Sequence, residues 1–185
     1  PVVSSPQKPE ADKVIKKTVA QKKAQWFAMH RDFSTTIERG TGFVISCSDS
    51  KYHVGAMRML GIHQQENFAV AVQACIAAGF TLSEKHVNAV ARNAHWPGRC
   101  DVVSRAPLVV VDGAHNPAGV VSLARTLRDR DDWGHRPWCL VAGFAKGHDP
   151  AAWARAWPVE LRPKKVLAVA PQMPRALPIE EIQGG

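Results

Sequence analysis

The stretch from Val109 to Leu127, VVVDGAHNPAGVVSLARTL, constrains the fold more than any other part of the chain. An apolar run ends on an aspartate, and an Asn-Pro soon opens a segment with helical periodicity. The run Leu108 to Val111 is continuous, which matches a strand covered on both faces. Gly113 allows a sharp turn, Asn116 is a good N-cap, and Pro117 suits the first helical position. Val120, Leu123, Ala124 and Leu127 then share one side. Ligands of open α/β sheets collect at the carboxyl ends of strands, which is where Asp112 stands.

The same alternation continues downstream. CLVAGF (139–144) reads as a second strand, 150–157 as a short helix, and KVLAVA (165–170) as a third strand. Strand, helix, strand, helix, strand predicts a parallel α/β sheet. Upstream, PVVSS (1–5) reads as a short buried strand. A helix follows from about Pro9, with Ala11, Val14, Ile15, Thr18 and Val19 at helical spacing and its lysines as the solvated face. QWFAMH and TGFVIS read as strands. A helix is predicted over Asn67–Ala78, closed by Gly79. Thr81 and Glu84 form a T-x-x-E capping box for the next helix, which carries Val87, Val90 and Ala91 and must stop before Pro97. The first half is less regular than the second, so a domain boundary is expected near 101–107.

Length and composition narrow the class. The chain has 185 residues, enough for one ordinary domain or two small ones. Hydrophobic content of 45% with 22% charged residues excludes general disorder. A net charge of +8 favours anionic partners. Cys47, Cys75, Cys100 and Cys139 are widely spaced with no CxxC pair, so neither a zinc site nor a disulfide framework is expected, and a reducing cytoplasm is the default. No apolar run is long enough for a membrane span, and no signal peptide is visible. The chain starts at Pro1, without methionine and already in a strand, so a fragment of a longer protein is expected.

Asn-Pro alone is ordinary punctuation. An aspartate and a histidine three residues apart at a strand end are less easily dismissed. Asp112 offers an acceptor for a ribose hydroxyl and His115 a titratable donor near a phosphate, beside a helix N-terminus that favours anions. DGAHNP, the arginine of WPGR (Arg99) thirteen residues earlier, GIHQQEN (Gly61 to Asn67), PVVSSPQ at the start and PRALPIEE near the end occur in one order. Together they resemble the folylpolyglutamate synthase/dihydrofolate synthase family, part of the wider group of Mur ligases.

The resemblance implies an α/β fold, with residues 1–104 the end of a central ATPase-type domain and 105–185 a smaller, incomplete Rossmann-like domain. It implies an ATP-dependent ligase that joins L-glutamate to a folate or dihydropteroate carboxylate through an acyl phosphate. Asn67, Arg99 and Asp112 would bind ATP, and His115 would act near the transferring phosphate as the catalytic candidate. His63 and Gln64 would line the same region. Arg99 then comes from one lobe and Asp112 from the other, so a nucleotide gripped between two lobes is expected. The partners are small molecules, not nucleic acid or membrane, and a monomer is expected.

Departures from the family pattern shape these expectations. No G-x-x-x-x-G-K-[ST] loop is present, and the Mg2+ ligands are expected ahead of Pro1, so the chain alone is not expected to turn over. The family's D-K-D is here Gly147-His148-Asp149. Two rival readings remain. One is a cell-wall amino-acid ligase of the same group, which usually carries a bulkier residue at the Gly113 position. The other is a nucleic-acid-binding module suggested by the charge and six tryptophans, although the basic residues are scattered and do not interleave with aromatics.

Overall fold

The computed structural model describes residues 1–38, 42–130, 133 and 137–183. The chain divides into two compact units, Pro1–Trp96 and Pro97–Gly185. The division falls ahead of the expected 104/105 boundary, because Asp101–Arg105 is a strand that pairs with Leu108–Val111.

The first unit opens with a βαβ turn. Strand β1 (Val2–Ser4) runs parallel to β2 (Trp26–Ala28), and helix α1 (Pro9–Lys22) forms the crossover. Pro9 begins α1, and Lys23 ends it in the left-handed region. No residue of α1 is fully buried, in keeping with its lysine-rich face. An antiparallel meander follows: β3 (Ser34–Ile37), β4 (Phe43–Ser46) and β5 (Lys51–Val54). In β4 and β5 the period of two is clean, because Phe43, Ile45, Tyr52 and Val54 are buried while Lys51 and His53 are exposed.

That buried face packs with Ala69 and Val72 of helix α2 (Ile62–Ala77) and with Val87 and Ala91 of helix α3 (Glu84–Asn93). Helix α2 starts five residues before the expected Asn67, directly after Gly61, which adopts φ 102° where a side chain would be strained. Helix α3 is capped by Ser83, whose hydroxyl accepts from the His86 amide at 3.2 Å, and not by Thr81 as the capping-box pattern suggested. Ser83 immediately precedes the first helical residue, where its oxygen can reach an unsatisfied amide.

The second unit holds β6 (Asp101–Arg105), β7 (Leu108–Val111), helix α4 (Pro117–Arg128), β8 (Cys139–Ala142), helix α5 (Pro150–Arg155), β9 (Lys165–Ala168) and helix α6 (Ile179–Gln183). The expected parallel arrangement holds for β8 and β9. Among the described residues β7 pairs only with β6, and antiparallel, so β7 does not extend that sheet. Nor is β7 covered on both faces as its apolar run predicted, since Val109 and Val111 are exposed. The core lies elsewhere, where Val120 and Ala124 of α4 meet Ala142, Phe144, Trp153, Trp157, Leu161 and Leu177. Phe144, Trp153, Trp157 and Trp138 form a chain of tilted and edge-on ring contacts, with successive centroids 5.2, 5.7 and 5.2 Å apart.

The two candidate caps of α3 can be separated by mutation. Ser83→Ala should cost about 1 kcal/mol, the usual worth of an N-cap hydroxyl, while Thr81→Ala should leave stability nearly unchanged. Urea denaturation of both variants measures this, and equal effects would refute the Ser83 assignment.

Candidate functional site

Two loops of the second unit are built into one another at the end of β7. The Asp112 carboxylate bridges them: one oxygen accepts the Cys100 amide and the other the Ala114 amide, both at 2.7 Å. The Gly113 amide donates back to the Gly98 carbonyl at 2.8 Å. The Trp96–Cys100 loop can make this approach because Gly98 and Cys100 both take positive φ, 73° and 48°. On the far side Asn116 caps α4 by accepting from the Gly119 amide at 2.8 Å, as the Asn-Pro pattern predicted.

Arg99 is exposed, and its guanidinium makes no ion pair among the described residues. It lies against the Gly113 backbone, so that a Cβ placed there would stand 2.9 Å from a guanidinium nitrogen. Glycine is therefore what lets the arginine lie where it does. His115 lies on the same peptide from another direction, its Nδ1 2.9 Å from the Gly113 carbonyl. A carbonyl can only accept, so Nδ1 carries a proton in this contact; in the neutral ring Nε2 would be the acceptor, and it lies 3.4 Å from the Asn116 side-chain nitrogen.

Arg99, Asp112 and His115 thus come together around Gly113, and all three belong to Pro97–Gly185. They were expected from two different lobes, but the strand pairing of β6 and β7 puts both loops in one unit. Asn67 belongs to the other unit. It sits in the second turn of α2, exposed, and its amide donates to Gln64 at 3.4 Å. Gln64 is buried and its amide nitrogen is 3.1 Å from His63 Nε2, so these three side chains form a chain along the start of α2.

Two contributors to the loop escaped sequence reasoning. Cys100 is buried behind it, and burial, assisted by the nearby Asp112 charge and opposed by Arg130, pushes its thiol up to about 12. Trp153 donates its indole N–H to the Ala114 carbonyl at 2.7 Å. Neither carries a motif; each is recognisable only from long-range packing. No three His, Cys, Asp or Glu side chains among the described residues cluster to hold a metal ion.

Asp112→Asn should destabilise this junction by about 1–3 kcal/mol, since an amide can satisfy only one of the two N–H groups and opposes the other with its own donor. Cys100 alkylation by iodoacetamide at pH 8, negligible in the parent because the thiol is buried and protonated there, should rise with it. Mass spectrometry and urea titration read the two effects, and an unchanged pair of values would show that the carboxylate bridge is dispensable.

Comparisons with known proteins bear on what such a junction serves. No family model matches the chain. It is 32% identical to folylpolyglutamate synthase of Lacticaseibacillus casei over 96% of its own length, spanning 42% of that enzyme. The solved folylpolyglutamate synthase of Mycobacterium tuberculosis, complexed with ADP and AMPPCP, superposes on 98% of the chain with a TM-score of 0.86 and 26% identity. The match covers 41% of that structure. A UDP-N-acetylmuramoyl-L-alanyl-D-glutamate–2,6-diaminopimelate ligase of Leptospira interrogans is 29% identical over 64% of the chain. The chain spans less than half the length of each of these relatives.

Proposed function

Because this chain belongs to the folylpolyglutamate synthase/dihydrofolate synthase family of the Mur ligase group, we propose that it forms the nucleotide-gripping part of an ATP-dependent folate–glutamate ligase. In that reaction ATP phosphorylates the carboxylate of a folate or dihydropteroate, the amine of L-glutamate attacks the acyl phosphate, and phosphate leaves. The substrates are small molecules, and the free thiols suit a cytoplasmic setting.

The observation that carries this reading is the Arg99 guanidinium, which lies beside Gly113 at the end of β7 with no ion pair among the described residues. A planar, permanently charged fork matches two phosphate oxygens at once. Asp112 fixes the loop through both oxygens, and each keeps a lone pair that can accept a ribose hydroxyl. His115 presents an unprotonated Nε2 when neutral, ready to hold or receive a proton near the transferring phosphate. ATP supplies the phosphoryl group, and the work of this chain is to position and neutralise it.

The Leptospira interrogans relative favours one second reading, a cell-wall ligase using the same nucleotide site for a different carboxylate. Lower similarity over a shorter stretch ranks it behind the folate reading.

Arg99→Ala should weaken ADP binding to the chain by roughly 1.5–3 kcal/mol, about ten- to a hundredfold, the worth of a charge-assisted contact. Isothermal titration calorimetry measures it, and unchanged affinity would remove the phosphate role. Turnover by an enzyme containing this chain, with folate plus glutamate set against muramyl precursors, separates the two ligase readings.

A further inference from the structure

The segment between β8 and α5, Gly147-His148-Asp149, stands outside the nucleotide contacts assigned above, as does α5 itself. Two side chains from this region nevertheless act on the loop that carries His115. Trp153 donates its indole N–H to the Ala114 carbonyl at 2.7 Å, a bond between residues 39 apart in sequence. The half-buried His148 packs its ring against that of His115, with centroids 4.6 Å apart and planes tilted by 48°. The first contact fixes the peptide leading into His115, and the second restrains the plane of its ring.

Neither contact is free to drift. Trp153 is only 7% exposed and is held edge-on to Phe144 and to Trp157, so its N–H direction is set by the core. Asp149 accepts the Ala152 amide at 2.9 Å, which secures the first turn of α5 between His148 and Trp153. Ala114 is confined from its other sides as well. Its amide is taken by Asp112, and a Cβ at Gly119 would stand 3.1 Å from its Cα. By contrast, the hydrogen bonds made by His115 itself run to Gly113 and Asn116, neighbours that move with the loop. Among the described residues, restraint on the exposed imidazole from elsewhere in the fold comes through His148 and Trp153.

We propose that His148 and Trp153 are positioning residues for His115, the first by stacking on its ring and the second by anchoring the preceding carbonyl. The proposal rests on the reading of this loop as part of a nucleotide site, but its geometric content can be tested without nucleotide.

The experiment uses the 185-residue chain with 13C,15N-labelled histidine and follows the His115 ring by NMR, alongside calorimetric ADP titration. The parent should show one set of His115 ring signals with Nδ1 protonated. His148→Ala should shift or broaden those signals and weaken ADP binding by about three- to tenfold, the scale of a lost aromatic contact. His148→Phe, which keeps a ring face and no titratable nitrogen, should restore both. Trp153→Phe, which keeps the ring and loses the donor, should also disturb His115. His148 is half-buried, so its variants decide the matter even if Trp153→Phe fails to fold. Unchanged His115 signals in His148→Ala would overturn the proposal. So would recovery of ADP binding by His148→Lys but not by His148→Phe, since that would make His148 a charge on the ligand. Absence of ADP binding in the parent would defeat the nucleotide reading alone, because the ring spectra would still decide the positioning role.

Discussion

One carboxylate with two backbone partners organises the second unit's chemistry. Asp112 accepts from Cys100 on one loop and Ala114 on the other, both at 2.7 Å. Hydrogen bonds to an ionised acceptor are stronger than neutral ones, and a pair that joins two loops removes the independent motion of each. Arg99 is the residue just before the first donor, and His115 is the residue just after the second. Their backbones are therefore tethered beside the carboxylate, while Gly113 leaves room for the Arg99 side chain and His148 packs on the His115 ring. A strand end is a suitable origin for such a bridge, since β7 fixes the backbone of Val111 while Asp112 projects beyond the ladder.

The surrounding scaffold is arranged so that exposed loops need not be flexible loops. Asn116 closes the first turn of α4, Gly119 lets that turn approach Ala114, and Trp153 reaches the same residue from the aromatic core. Functional side chains on loops work when a rigid framework holds the loop ends. Here the framework consists largely of local caps and one aromatic chain, while the strand residues Val109, Val111, Val141 and Val166 contribute little burial among the described residues.

Local signals were legible in the sequence, and long-range ones were not. The strand-to-helix turn at DGAHNP, the Asn116 cap and the Pro9 and Pro117 starts all follow from backbone chemistry within a few residues. Errors arose where two local solutions competed. Thr81 and Ser83 both offer a hydroxyl before α3, and the one adjacent to the helix wins. The first turn of α2, Ile62 to Gln65, is mostly polar, so periodicity located the helix only from its apolar part onward. Strand β3 contains Ser34, Thr35 and Thr36, a polar run that carries no strand signal until β4 supplies its partners. The grouping of Arg99, Asp112 and His115 was readable as a set. Its origin in a single unit was not, because Asp101–Arg105 becomes a strand only by pairing with β7. Trp153 bears no motif at all, and although His148 stands where the family has the lysine of D-K-D, only packing reveals its contact with His115.

The separation of charges around Gly113 explains why the junction can serve an anion. Had Arg99 paired with Asp112, each would have neutralised the other, and an incoming phosphate would have had to break that pair. Instead the carboxylate is satisfied by two amides, while the guanidinium lies across the glycine with no ion pair among the described residues. An arginine stays charged at any physiological pH, so its attraction for phosphate is undiminished by titration. The glycine is the hinge of this division of labour. A side chain there would push against the guanidinium, 2.9 Å from where its Cβ must sit, and displace a charge that has no ion pair among the described residues.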